Sequence, residues 1–292
     1  MTSTATTPAK PAGFGLTWLG VAPFFVFAFL FLILPTLYLL VGAFQDPHGN
    51  FTLQNFRDLA QDSIVAAYWI SIRISAASAF IGAICGFFIA YAVIGGGLPG
   101  WLRSFVMTFS GVASNFAGVP LAFAFLATLG RLGLVTILLR DLFGFSLYGA
   151  GFNLLTFWGL TLTYLYFQIP LMVLILAPAL DGLKKEWREA SAILGASTRQ
   201  YWTMVALPIL LPSIIGATLL LFANAFGAIA TAYALTGSSL NIVTILLYAQ
   251  IRGDVLHNPN LGFALALGMV AITSLSNVLY LWLRARSDRW VK

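Results

Sequence analysis

Apolar residues run along this chain in long blocks separated by short polar interruptions, and the block lengths predict helices that cross a membrane. About 20 apolar residues span a hydrocarbon core. Residues 16–44 form the first such block, long enough to tilt or to kink at Pro35. Residues 45–61, with Asp46, Pro47, His48, Asn50, Asn55, Arg57 and Asp58, are polar and rich in breakers, and a second block covers 66–94. Within it lies Arg73, either snorkelling towards the outer end or facing a pore. Gly82 and Gly86 in the same block have the spacing that lets another helix approach closely. A glycine-rich turn at 95–100 leads to a third block at 102–129. Its middle holds Ser114, Asn115, Gly118 and Pro120, so this span is expected to bend or break near its centre.

The run 132–139 is too short to cross and ends in Arg140 and Asp141, which predicts a helix lying along the outer surface. The fourth span, about 152–180, carries Gln168 and Pro170. The fifth, about 208–235, carries Asn224 and Gly227. Residues 240–249 form another short apolar run, expected to be re-entrant or interfacial, and a sixth span covers 261–283. Residues 1–15, rich in Thr, Ala, Pro and Gly, read as a disordered tail without the features of a removable leader. The expectation is an all-α, polytopic membrane protein: a six-helix domain over 16–284, then a short basic tail at 285–292.

One interruption is long. Residues 183–212 read LKKEWREASAILGASTRQYWTMVALPILLP and hold six charged residues, in a chain with only 15 basic and nine acidic ones. Trp187, Ala190, Ile193 and Leu194 fall on one helical face, while Lys184, Lys185, Arg188 and Glu189 cover the rest. Gly195 is placed to stop that helix, and Ser197 with Gln200 has the spacing of a capping box opening a second one.

Glu189-Ala190-Ser191, then Gly195, then nine residues and Val205-Ala206-Leu207-Pro208 resemble the EAA loop of permease subunits in binding-protein-dependent ABC importers. Ser191 stands for the family's second alanine and Val205 for its isoleucine. The resemblance implies that the loop at 183–207 docks on a cytoplasmic ATPase through Glu189, Ala190, Ser191, Gly195, Leu207 and Pro208. It also implies a type I importer fold and three kinds of partner: ATP-binding cassette subunits that carry ATP and Mg, a second permease subunit, like or unlike this one, and a periplasmic or lipid-anchored solute-binding protein. The opening span and residues 235–269 are similar to permeases of the spermidine/putrescine group. This implies a polyamine or related small charged solute, with thiamine, ferric ion, aminoethylphosphonate or a sugar as alternatives.

Composition agrees with the membrane reading: 60% of residues are hydrophobic, 8% are charged, and mean hydropathy is +0.93. The net charge of +6 does not form a patch for nucleic acid; Lys and Arg flank apolar blocks. With six spans and both termini inside, every basic residue except Arg57, Arg73, Arg131, Arg140 and Arg252 lies on the cytoplasmic side of an inner membrane.

Chemistry is sparse. No Gly-Lys dipeptide exists, so there is no Walker A loop, and ATP hydrolysis is expected on a separate subunit. His48 and His257 sit in separate loops without metal-ligand spacing, and Cys85 is the single cysteine. Every Asp and Glu falls in a loop or at a span end, which disfavours both a membrane enzyme and a proton-coupled carrier. An ATP-independent carrier or channel remains the alternative class. Uncharged amides at mid-span are costly unless they pair or face water, so Asn115, Gln168 and Asn224 are the candidates for lining a translocation path.

Overall fold

The computed structural model describes residues 17–237, 239–252 and 258–287. The tail at 1–15, the end of the basic tail, Asp254 and His257 lie outside the described residues. Among the described residues every element is helical except one isolated bridge, Gln45 to Phe51.

The first apolar block forms α1 (Thr17–Ala28) and α2 (Leu34–Ala43), joined by a π-turn over Phe29–Ile33. Proline has no N–H, and its ring crowds the carbonyl four residues earlier. Pro35 therefore widens the turn ahead of it, and the Leu34 N–H reaches back five residues to Phe29 O. The same device recurs at Pro208, where Trp202–Ala206 is a π-turn and the Leu207 N–H reaches Trp202 O. The expected kink at Pro35 is thus a widened turn before the proline.

The free carbonyls at the end of α2 are held by two amides from distant segments. Asn55 Nδ2, on the short α3 (Gln54–Asp58), donates to Ala43 O at 3.0 Å and Gln45 O at 2.9 Å. Asn260 Nδ2 donates to Gly42 O and Gln45 O at 3.1 and 2.7 Å. In the adjoining loop Asp46 accepts from the backbone N–H groups of Asn50 and His48. These bonds, the Asn50 backbone first, hold its carboxyl below the ordinary value.

The second span is α4 (Asp62–Gly95), and it packs most extensively on α8 (Phe157–Asp181). Glycine allows this closeness. A Cβ at Gly82 would lie 3.0 Å from Gln168 Cβ, and one at Gly86 would meet Met172 Cβ at 2.5 Å and Ile169 O at 2.9 Å. The pairs advance together along both helices, so α4 and α8 run parallel. The helix that closes on Gly82 and Gly86 is therefore α8. Against both lies α11 (Leu207–Phe226), with Leu221 beside Gly82. Residues from the three helices, among them Ala83, Met172, Leu176, Leu210 and Leu221, form one buried cluster.

Two spans are broken. Residues 102–129 form α5 (Gly100–Asn115) and α6 (Val119–Leu129), interrupted at 116–118 where Gly118 takes a φ of +77°. The fifth block was expected to run unbroken to 235. It instead stops at Phe226, turns at Gly227–Ala228 and resumes as α12 (Ile229–Thr236). The backbone of Gly227 caps α11 by donating to Ala223 O.

Each broken span is followed by a ten-residue helix, α7 (Leu134–Phe143) or α13 (Val243–Arg252), and then by a long one, α8 or α14 (Pro259–Ser287). The two short post-break helices, α6 and α12, pack on each other.

Six stretches of the described residues are long and apolar enough to cross a membrane. Five correspond to expected spans. The third differs, because the qualifying stretch is Val119–Phe143, α6 with α7, and not 102–129. The Gly118 break detaches the polar-studded α5, and α7 follows α6 through a turn closed by the Gly133 N–H on Gly130 O. The expected surface helix at 132–139 is thereby drawn into the apolar stretch.

Candidate coupling loop and membrane cavity

The loop after α8 begins with α9 (Lys185–Ile193), which Leu194 and Gly195 terminate. Gly195 adopts φ +81°; its N–H donates to Ala192 O at 2.9 Å, and the Ala196 N–H donates to Ser191 O at 2.9 Å. This pair of bonds is a Schellman motif, which needs a left-handed residue at the position of Gly195. Ser197 then opens α10 (Thr198–Tyr201) with a complete capping box. Its Oγ accepts from the Gln200 N–H, while its own N–H donates to Gln200 Oε1 at 2.8 Å. Through the π-turn at Trp202–Ala206 this second helix continues into α11, so Pro208 lies inside a longer helical stretch and does not begin one.

Ahead of these two caps the chain leaves apolar surface uncovered. Ile193 and Leu194 are each 86% exposed, and Ala190 is exposed beside them. Trp187, on the same face, is half-buried under the Lys184 ammonium, 5.9 Å from its ring centroid. Glu189 is exposed and makes no ion pair with any described residue. Ser191 Oγ turns back to Arg188 O at 2.7 Å and so offers little to a partner. Leu207 and Pro208 are exposed where α11 starts. The loop shares its end of the bundle with the Arg103 to Asp181 ion pair at 2.7 Å, which ties the start of α5 to the end of α8. With both side chains about half exposed, that pair is worth at most about 1 kcal/mol.

A second feature lies where the broken spans meet. A cavity of about 440 Å³ is bounded by Ser114, Ala117 and Gly118 at the first break, by Asn224, Gly227 and Thr231 at the second, and by Phe167 of α8. Its polarity comes from side chains and interrupted backbone, with no charged residue among them. The Gly118 N–H donates across the two breaks to Thr231 Oγ1 at 2.7 Å. Tyr164 Oη donates to Ala228 O at 2.7 Å, satisfying a carbonyl that the second break frees.

The three mid-span amides are placed differently. Asn224 lines the cavity, and its amide bonds to no described residue. Asn115 is exposed at the end of α5, donating to Gly111 O at 2.9 Å. Gln168 is 0% exposed, enclosed between α4 and α11; its Nε2 donates to Leu221 O at 2.8 Å while its Oε1 has no partner. Thr231 and Tyr164 went unnoticed in the sequence. The signal for that region was Asn224 followed by Gly227 in the middle of an apolar block.

Residues 82–292 match the family described as binding-protein-dependent transport system inner membrane component. Among curated relatives, the chain is 24% identical over 261 residues to a putative ferric transport system permease protein of Haemophilus influenzae. That match covers 89% of this chain but only 40% of the relative's length. It is 24% identical to the spermidine/putrescine transport system permease protein of the same organism, over 89% of this chain and 91% of the relative. It is 30% identical to a probable sulfate transport system permease protein of Helicosporidium sp. subsp. Simulium jonesii, over 70% and 72%. Among solved structures, a chain of a bacterial ABC transporter involved in the import of the acidic polysaccharide alginate superposes with a TM-score of 0.69 at 17% identity, covering 95% of this chain and 96% of that one. The same transporter in complex with an alginate pentasaccharide-bound periplasmic protein gives 0.68 at 15% identity, covering 95% of each chain.

Proposed function

The chain belongs to the family of binding-protein-dependent transport system inner membrane components, and from that premise we propose how it works as the permease subunit of an ABC importer. In this reading α9 is the element that docks on a separate ATPase subunit. The observation that carries it is the exposure of Ile193 and Leu194 at the end of a helix closed by the Schellman turn at Gly195. Two large aliphatic side chains held out into water on a rigid turn are suited to a partner's groove. Glu189, which pairs with no described residue, is placed to pair with a basic residue there, an ion pair that sets register more than affinity. The small Ala190 and Ser191 permit close approach, and Leu207 and Pro208 carry the movement into α11.

The translocation path passes the cavity between the two breaks, with Asn224 and Asn115 on it and Gln168 holding α8 to α11 behind it. The path is completed by a second permease subunit. A solute-binding protein delivers the solute at the end away from α9, and both termini face the cytoplasm. Since no charged side chain borders the cavity, the binding protein performs most of the charge selection.

A polyamine is the solute to test first, because the spermidine/putrescine relative is matched along 91% of its length. The 30% identity to the sulfate relative favours a small inorganic anion as the second reading. The class is tested by purifying the chain from cells that also express a candidate ATP-binding cassette ATPase subunit. Copurification of the ATPase with the wild type, and its loss from Ile193→Asp/Leu194→Asp at equal permease yield, is the expected result. Solute uptake in proteoliposomes that lack any ATPase would instead mark an ATP-independent carrier.

A further inference from the structure

One helix face carries an unexplained charge. Along α4, Trp69, Arg73, Phe80, Ile84 and Phe88 follow one another at helical spacing and all are exposed. Below Arg73 this face is apolar down to the Arg103 end. The Arg73 guanidinium lies 5.4 Å from the ring centroid of Phe157, at the start of α8. Phe157 in turn packs edge-on against Trp158. Trp69 is 61% and Trp158 65% exposed. Arg73 makes no ion pair with any described residue; those found are Arg103 to Asp181 and Arg140 to Asp141.

Helix geometry fixes its depth. From Arg73 to the end of α4 at Gly95 is about 33 Å at 1.5 Å per residue. From Trp158 to Asp181 on the parallel α8 is about 35 Å by the same rise. Both lengths match a hydrocarbon core of about 30 Å whose other boundary is marked by the Arg103 to Asp181 pair. Arg73 and the two tryptophans therefore stand together at the opposite boundary, the level of lipid headgroups, where tryptophan also concentrates. Phe157 occupies one face of the guanidinium and leaves its N–H edges free. A guanidinium whose edges no described residue bonds, on an exposed helix face at headgroup depth and without a carboxylate, matches a phosphate in charge and geometry.

We infer that Arg73, stacked on Phe157 and flanked by Trp69 and Trp158, binds the phosphate of a membrane phospholipid in the leaflet opposite the α9 loop. The first three turns of α4, from Asp62, then stand about 16 Å beyond the hydrocarbon boundary.

The test is a titration of the purified full chain with phosphatidylglycerol, read by native mass spectrometry as lipid bound per protein. Wild type is expected to hold one lipid that Arg73→Gln binds about tenfold more weakly. Arg73→Lys retains most of the affinity, and Phe157→Leu loses part of it. Excess inorganic phosphate leaves the lipid in place. Equal affinity of wild type and Arg73→Gln would overturn the inference. Displacement of the lipid by inorganic phosphate would also overturn it, showing a soluble-anion site. So would loss of a copurifying second permease subunit from Arg73→Gln with lipid binding unchanged, which would assign this face to the subunit interface.

Discussion

The backbone N–H of Gly118 donates to the hydroxyl of Thr231 at 2.7 Å, and this bond joins the break in one membrane span to the break in another. An interrupted helix leaves backbone groups without partners, and at membrane depth such groups persist only where protein or a watery cavity satisfies them. Both conditions hold here: Thr231 serves the first break, Tyr164 the second, and the cavity lies between. Replacing Thr231 with Val keeps the volume and strands the Gly118 N–H, at a cost of about 1–3 kcal/mol. We expect a lowered melting temperature in detergent and reduced uptake, with Thr231→Ser restoring both. An unchanged melting temperature in Thr231→Val would show that the bond contributes nothing.

Asn224 and Gln168 predict opposite phenotypes. The Asn224 amide borders the cavity and bonds to no described residue, so Asn224→Leu should lower uptake while expression and thermal stability stay at wild type. Gln168 is packed away, with one interhelical bond of the kind worth about 0.6 kcal/mol in membranes. Gln168→Leu also removes the unpartnered Oε1, so stability should change little and solute preference not at all. Competition assays with related solutes check this. A shift in preference from Gln168→Leu alone would place that residue on the path.

Close packing of α4 on α8 makes Gly86 intolerant of any side chain. A Cβ there would sit against both Met172 and the Ile169 carbonyl, and overpacking of this kind costs about 1–3 kcal/mol or more. Gly86→Leu is therefore expected to lower the yield of folded protein and its melting temperature. Gly111→Ala, with nothing within 4 Å of the added methyl group, should be neutral. Equal stability of the two variants would contradict the packing.

The span count, the short apolar run at 240–249, the Gly195 stop and the Ser197 to Gln200 capping box were legible in the sequence because each rests on local pattern or chemistry. Apolar block length alone sets a span, and a glycine followed by a serine and a glutamine sets the caps. The breaks were only half legible. Gly118 followed by Pro120 signalled the first. The second, at Gly227, depends on tertiary partners for its freed groups: Tyr164 lies 64 positions from Ala228 in sequence. Periodicity carries no such information. The stretch Val119–Phe143 was missed for a related reason, since block length takes 102–129 as the apolar unit and does not register that the short run at 132–139 lengthens α6.

The proposed orientation rests on the charge bias and is checked by labelling. In a Cys85→Ala background, single cysteines at Asn50 and Asn258 should react with an impermeant maleimide in intact cells. Those at Ser3 and Ser197 should react only after lysis. Labelling of Ser197→Cys before lysis would invert the arrangement.

On the proposed reading, α9 with its Gly195 cap transmits a partner's ATP cycle to the spans. A Cβ at Gly195 meets no neighbouring atom, so valine there is opposed chiefly by the left-handed backbone, at roughly 1–2 kcal/mol. Glu189→Lys reverses a charge that no described residue pairs. Neither change touches a span. The most direct measurement is the ATPase rate of the reconstituted importer with and without solute-loaded binding protein, for wild type, Gly195→Val and Glu189→Lys. Both variants should insert in wild-type amounts, retain the basal rate and lose the stimulation. Wild-type stimulation in both would contradict the assignment of α9 as the coupling element.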